Sequence, residues 1–236
     1  MKSSLDVVLP VYNESKSLMS NFEKLYKFME LKVERDWIIT IAENGSSDNT
    51  LDIAKKIQSK YKKSRVISNE NPGKGLALKN AWLTSNAEIF AYMDLDLSTD
   101  IEIIPEFLNR IDDGQDFVIG SRLLKGANVI GRSLKRELIS RSYSKIFRFF
   151  LAVDFYDAQC GFKFAKKESV LKILDDCKDE GWFFDTEILY KAEKNNLSIC
   201  ELPVTWIDDP DTKVNIISTI IKDLIGLVRL RLEKNG

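Results

Sequence analysis

Glu88-Ile89-Phe90-Ala91-Tyr92-Met93-Asp94-Leu95-Asp96 holds six residues with the apolar, β-branched and aromatic character of a buried strand, followed at once by two carboxylates. In an open α/β sheet, ligands bind at the carboxyl ends of the strands. Two acids at such an end can divide a task, one holding a sugar or phosphate and the other a divalent cation. Mg²⁺ suits this arrangement, because it is held by one or two carboxylates together with substrate phosphates. Asp-x-Asp also occurs where a residue merely caps the next helix. The flanking sequence has to decide.

Working outward from that strand, short apolar runs at Leu5–Val11, Trp37–Ala42, Arg65–Ser68 and Phe117–Gly120 read as further strands. Helical spacing separates them: Leu18, Phe22, Leu25 and Met29; then Ile53, Ala54, Ile57 and Tyr61 behind a capping Asp48. Asn71-Pro72-Gly73-Lys74-Gly75 predicts a turn into a helix running through Trp82, and Asp100 a start for another. This alternation predicts an α/β fold with a mostly parallel sheet covered by helices. After Gly120 the pattern changes to a basic, aromatic helix over about residues 133–151, a short strand near Phe162 and a final strand over Ile199–Trp206. Val214–Leu232 reads as one or two amphipathic helices.

At 236 residues, with 44% hydrophobic and 30% charged residues, the chain can bury a sizeable core as one large domain or two small ones. Cys160, Cys177 and Cys200 lie far apart, which predicts reduced thiols and no zinc site. Met1-Lys2-Ser3-Ser4 runs straight into a strand, so no secretory leader is expected, and no apolar stretch is long enough to span a membrane. Histidine is absent, which excludes Ser-His-Asp, Cys-His and His-ligated metal machinery. Between Arg122 and Arg148 eight basic residues meet one acid, Glu137, a net charge of +7 inside a chain of −1. Such a block predicts an anionic partner. No nucleic-acid-binding motif accompanies it, so a phosphate-bearing substrate or an anionic lipid surface fits better.

Five motifs occur in order: Leu9-Pro10-Val11-Tyr12-Asn13-Glu14, Glu43-Asn44-Gly45-Ser46-Ser47-Asp48-Asn49-Thr50, Asp94-Leu95-Asp96, Gly120-Ser121-Arg122 and Gln159-Cys160-Gly161-Phe162-Lys163. Together they resemble the family 2 glycosyltransferases, specifically the polyprenyl-phosphate (dolichyl-phosphate) hexosyltransferases. Trp206, Thr212-Lys213 and the closing Lys222-Asp223-Leu224…Arg229-Leu230-Arg231-Leu232 resemble the glucosyl members more than the mannosyl ones. The resemblance implies a nucleotide-sugar-binding fold of GT-A type over residues 1–212 and C-terminal interfacial helices over 213–236, working at the cytoplasmic face of a membrane. It places Pro10, Tyr12 and Glu14 at the nucleoside. It makes Asp96 the metal ligand, with Asp94 beside it or on the ribose or diphosphate, and implies Mg²⁺ or Mn²⁺. Arg122, Arg136 and Ser140 fall on acceptor-phosphate positions, and Lys213 closes over the phosphates. Gln159 and Asp185 fall near the hexose, and equally suit structural hydrogen bonds. Lys74, between two glycines, suits a place near the diphosphate or a solvated position.

Residue chemistry adds to the resemblance. Asn44 stands where the family more often has Asp; an amide offers both an acceptor and a donor, which suits uracil better than guanine. Asn44 equally suits support of the Gly45 turn. Arg136 and Ser140, four apart, share a helix face, and guanidinium forks suit phosphate oxygens. A phosphomonoester is close to dianionic at neutral pH and can be its own nucleophile, so histidine is not needed. Inverting hexose transfer from a UDP-sugar to a polyprenyl phosphate is the expected reaction. Mannosyl transfer from GDP-mannose, transfer to a glycan hydroxyl with Glu187 or Asp209 as base, and a non-catalytic nucleotide-sugar binder remain open. A dehydrogenase is disfavoured, since the first strand–helix turn lacks G-x-G-x-x-G. The apolar surface of 214–232 and Lys145-Ile146-Phe147-Arg148-Phe149-Phe150 suit peripheral contact with an anionic membrane, or burial against the core or a second subunit as a homodimer.

Overall fold

The computed structural model describes residues 2–208 and 216–233, with side chains of the second stretch from Ile221 onward. Seven strands form the main sheet: β1 (Leu5–Val11), β2 (Trp37–Asn44), β3 (Ser64–Asn69), β4 (Ile89–Met93), β5 (Phe117–Ser121), β7 (Phe162–Lys166) and β8 (Ile199–Pro203). Their order is β3-β2-β1-β4-β7-β5-β8. Every neighbouring pair is parallel except those made by β7, which runs antiparallel to both β4 and β5. β6 (Asn128–Ile130) and β9 (Thr205–Ile207) form a separate parallel pair.

Alternation along the central strands feeds two cores, as the period of two requires. Val7, Leu9, Ile89, Ala91 and Met93 face one side, where α1 (Leu18–Lys32), α2 (Thr50–Lys60) and α4 (Ile104–Asp112) pack. Val8, Phe90 and Tyr92 face the other, under α3 (Lys74–Leu83), α5 (Leu134–Leu151), α6 (Lys167–Leu174), α7 (Phe184–Lys194) and α8 (Ile216–Leu232). On that second side Asp6 is fully buried, and Thr40, Ser85 and Arg65 donate to its carboxylate at 2.6, 2.6 and 2.9 Å. A buried carboxylate needs such a complete set of donors.

The expected final strand breaks at Val204. Residues up to Pro203 stay in the main sheet, whereas Thr205–Ile207 leave it to pair with β6. The helix expected at Asp100 opens as a 3₁₀ turn over Ile101–Ile103 before α4 begins. Asp48 works across two loops, accepting from Thr50 N at 3.0 Å and Ser15 N at 3.2 Å. The C-terminal segment forms one helix in its described part. Leu227 and Leu230 of α8 enter the second core, and Gly226 lets the helix press against the Phe183 ring. Among the described residues, no helix is long and apolar enough to cross a membrane.

Candidate active site

β1 leads to β2 and β3 on one side, and α3 then returns the chain to β4 on the other side of β1. The carboxyl ends of β1 and β4 therefore flank the switch point where open α/β sheets bind ligands. The chain ends its strands there with polar residues. Pro10 closes β1 beside the β2 residues that lead to Asn44, in the register Pro10↔Ala42 and Val11↔Glu43. The two following loops are laced together: Asn13 N donates to Ser46 Oγ at 3.0 Å, Ser47 N to Asn13 Oδ1 at 2.9 Å, and Glu14 N to Thr50 Oγ1 at 2.8 Å. Tyr12 stands exposed above them, and the Glu14 carboxylate accepts from Ser17 Oγ at 2.5 Å. Asn44 Oδ1 accepts from Gly73 N at 2.7 Å, fixing the start of α3.

That contact carries Lys74 inward. Lys74 is buried, and its ammonium donates to Asp94 Oδ1 at 3.1 Å and Asp185 Oδ2 at 3.0 Å. Burial opposes its charge, but the two carboxylates outweigh burial and push its pKa up. Gly75 is needed here, because a Cβ would press into Phe184 and the Asp179 carbonyl. Below this pair Lys163, equally buried, donates to Asp185 Oδ1 at 3.1 Å, Tyr92 Oη at 2.8 Å and the Cys160 carbonyl at 2.8 Å. Burial and the neighbouring Lys74 charge pull the Lys163 pKa down to about 7.

Asp94 leaves β4 with its N–H donating to the Gly161 carbonyl at 3.0 Å. Any side chain at Gly161 would overlap the Asp94 carboxylate, so this glycine is a packing requirement. The turn continues through Leu97 at φ +52, a left-handed conformation costly for leucine and typical of functional loops. Asp96 stands exposed at its tip, its Oδ1 accepting from Ser98 N at 2.9 Å. Asp94, Asp96, Ser98, Thr99, Gly161 and Trp206 line a narrow cleft.

Trp206 joins this cleft to the basic cluster. The Arg122 and Arg132 guanidinium groups lie 5.4 and 5.6 Å from its ring centroid, within cation–π range. Arg122 grips Asp157 with Nε and Nη2, both at 2.8 Å. Burial would raise the Asp157 pKa, but the Arg122 charge and bonds outweigh it and hold the carboxyl low. Arg136 Nη1 meets Asp208 at 2.5 and 2.6 Å, and Arg132 Nη2 donates to Ser140 Oγ at 2.5 Å. Gln159 Nε2 donates to Asp223 Oδ2 of α8 at 2.6 Å.

Residues 6–174, which hold these strand ends, match the family described as Glycosyl transferase family 2. The chain belongs to that family. It is 33% identical over 226 residues to the glycosyltransferase AglD of Haloferax volcanii, covering 94% of this chain but spanning only 35% of that relative's length. It is 29% identical over 247 residues to a dolichyl-phosphate beta-glucosyltransferase of Saccharomyces cerevisiae, covering 97% of this chain and 74% of the relative. In fold it is similar to glucosyl-3-phosphoglycerate synthase from Mycobacterium tuberculosis, crystallised with Mn²⁺, UDP and glucosyl-3-phosphoglycerate. The TM-score is 0.72 at 18% identity, covering 99% of this chain and 81% of that one. At that identity the likeness establishes the GT-A type fold alone.

Within this family 2 fold the sequence-derived residues fall into two groups. Pro10, Tyr12, Glu14, Asn44, Lys74, Asp94 and Asp96 gather at the switch point, and Arg122, Arg136 and Ser140 gather around Trp206 and the start of α5. Asp185 is enclosed, both oxygens taken by lysines, and Gln159 reaches α8. Lys213 and Asp209 lie outside the described residues. Glu187 is fully buried, accepting from Arg229 at 2.7 Å and Asp179 N at 2.6 Å. Sequence reasoning missed the parts played by Lys163, Arg132, Asp208 and Asp223. Lys163 stood inside a quoted motif and Arg132 inside the basic block, but only their burial sets them apart. Among the described residues, no three Asp, Glu, Cys or His side chains cluster as a complete metal cage. Asp96 and Asp94 are hard oxygen donors at the cleft, and that set fits a cation whose remaining ligands are diphosphate oxygens and water.

Proposed function

We propose that this chain transfers a hexose, glucose being favoured, from a UDP-sugar to the phosphate of a polyprenyl or dolichyl phosphate, with inversion. One observation carries the reading: the strand-end acids Asp94 and Asp96 and the Arg122–Arg132 pair meet across a single side chain, Trp206. A donor diphosphate at the acids and an acceptor phosphate at the arginines would thus be neighbours. The curated relative named for dolichyl-phosphate glucosylation supports the acceptor, and the UDP of the structural relative supports the donor.

Arg122, Arg136 and Ser140 orient the acceptor phosphate, whose oxygen forms the new bond to the anomeric carbon as the sugar–diphosphate bond breaks. The acceptor arrives ionised, so no side chain has to remove a proton. Positioning and charge complementarity then supply the acceleration. Asp96, assisted by Asp94, would hold Mg²⁺ or Mn²⁺, which when bound neutralises charge on the departing diphosphate. Lys74 fixes the Asp94 carboxylate from below and adds its own positive charge. Asn44 is assigned to the uracil side, Pro10, Tyr12 and Glu14 to the nucleoside, and Gln159 to the sugar. α8 and the exposed Phe149 of α5 make peripheral contact with an anionic membrane at its cytoplasmic face.

The test is a set of UDP- and GDP-sugars offered with a short polyprenyl phosphate or the matching polyprenol, with Mg²⁺ or Mn²⁺, and products read by mass spectrometry. The expected product carries one hexose on the phosphate lipid only. Turnover of the polyprenol, or of GDP-mannose in preference to every UDP-sugar, would contradict the proposal.

A further inference from the structure

We propose that Arg132 is a positioning residue of the acceptor site, setting the Ser140 hydroxyl as a hydrogen-bond donor toward the acceptor's phosphate oxygens. This rests on the reading of Arg122, Arg136 and Ser140 as that site. Arg132 lies in the turn between β6 and α5, directly after Gly131 at φ +81. Its side chain is only 6% exposed, unusual for an arginine on a surface loop. Nη2 donates to Ser140 Oγ at 2.5 Å, Nη1 to Glu137 Oε2 at 3.1 Å, and the guanidinium sits on the Trp206 ring that Arg122 also touches. Its Nε is buried and has no partner among the described residues.

Hydrogen-bond chemistry gives this arrangement a direction. A guanidinium only donates, whereas a serine hydroxyl has one proton and two lone pairs. The Arg132 bond occupies a lone pair of Ser140, so the hydroxyl proton must be given elsewhere. Among the described residues, no protein acceptor takes it. A phosphate in the same cluster offers only acceptors. Ser140, left to itself, would rotate freely or bond back to its own helix, as serines in helices commonly do. By occupying one lone pair, Arg132 narrows that freedom before the acceptor arrives.

Charge points the same way. Glu137, the one carboxylate on Arg132, is shared with Arg141 at 2.5 Å, so Arg132 has less than a whole counter-charge. Arg122 and Arg136 each have a carboxylate of their own in Asp157 and Asp208. Burial and the nearby Arg122 pull the Arg132 pKa below the ordinary guanidinium value. A phosphate dianion entering beside Ser140 would relieve that cluster of like charges.

Steady-state kinetics on Arg132→Gln, Arg132→Lys, Ser140→Ala, Arg136→Ala and the Arg132→Gln/Ser140→Ala double variant test the inference, with a short polyprenyl phosphate varied at saturating nucleotide-sugar. Arg132→Gln is expected to raise the acceptor KM about ten-fold or more, the scale of one charge-assisted hydrogen bond. The donor KM and the calorimetric UDP affinity should stay within about two-fold, since Arg132 reaches the donor cleft only through the Trp206 ring, which Arg122 still holds. The double variant should be no worse than the more impaired single variant. Arg132→Lys keeps a charged donor for Ser140, where glutamine keeps only a shorter, neutral one, and should fall between wild type and Arg132→Gln. It carries the test if the glutamine variant folds poorly. Independent, multiplying effects of Arg132→Gln and Ser140→Ala would overturn the positioning role, as would equal loss of donor and acceptor affinity. If neither Ser140→Ala nor Arg136→Ala alters the acceptor KM, the acceptor-site reading itself fails and this inference with it.

Discussion

Asp94 and Asp96 are one residue apart and have different surroundings. Asp94 is clamped by Lys74 and by the bare backbone of Gly161, while Asp96 stands at the tip of the turn in the cleft. Asp96→Ala should therefore lower kcat by at least about 10²-fold, the scale of one lost transition-state electrostatic contact. EDTA should abolish turnover in the unaltered protein, and full activity in EDTA would end the metal assignment. Gly161→Ala tests the clamp. The added methyl must displace the Asp94 carboxylate from Lys74, so kcat should fall about ten-fold or more while circular dichroism still reports a folded chain. Undiminished kcat would show that the Asp94 position does not matter. The acids were legible in the sequence because a strand-end position has a fixed meaning in this class of fold. The contact between Lys74 and Asp185 was not, since the two are 111 positions apart and only packing joins them.

At the scale of elements, the parallel strands were readable because buried apolar runs alternate with amphipathic helices. The reversal of β7 was not, for a five-residue strand reads alike in either direction. β6, with three residues, is too short to carry a period, and it exists by pairing with β9. The C-terminal helix was legible as amphipathic, and the structure divides its faces. Asp223, Leu227 and Leu230 turn inward, whereas Ile221, Ile225, Val228 and Leu232 form an exposed stripe at spacings of four, three and four. Liposome flotation should show binding to anionic vesicles at low salt, weakened by Ile225→Glu or by Phe149→Glu, two of the exposed side chains. Flotation indifferent to both would remove the membrane role of these helices.

The inward face makes a separate prediction. Burial raises the Asp223 pKa to about 6, with Gln159 as its hydrogen-bond partner. Below the unfolded value near 4 the carboxyl is protonated in both states. Between that value and about 6 only the folded state keeps the proton, and above it the buried charge costs stability. Asp223 therefore weakens the fold as pH rises from about 4 to about 6, by on the order of 1–3 kcal/mol. Asp223→Asn keeps an acceptor for Gln159 and should raise Tm at pH 7.5 while leaving it nearly unchanged at pH 4. An equal change at both values would show that ionisation is not the cause.

Over the whole molecule, one sheet edge collects the ends of β1, β2, β4 and β5 and the start of β7, which brings acids and cations into one place. β9 leaves the sheet and sets Trp206 over the Asp-x-Asp turn, where Thr99 bridges to it. The histidine-free composition fits a reaction whose acceptor is already ionised. The most direct test of that central claim is the product formed from ¹³C-labelled UDP-glucose and a short polyprenyl phosphate with Mg²⁺, read by ¹³C and ³¹P NMR. One β-linked glucose on the lipid phosphate and stoichiometric release of UDP are expected. An α-linked product, glucose on a hydroxyl group, or tight UDP-glucose binding with no transfer in the presence of either metal would contradict it.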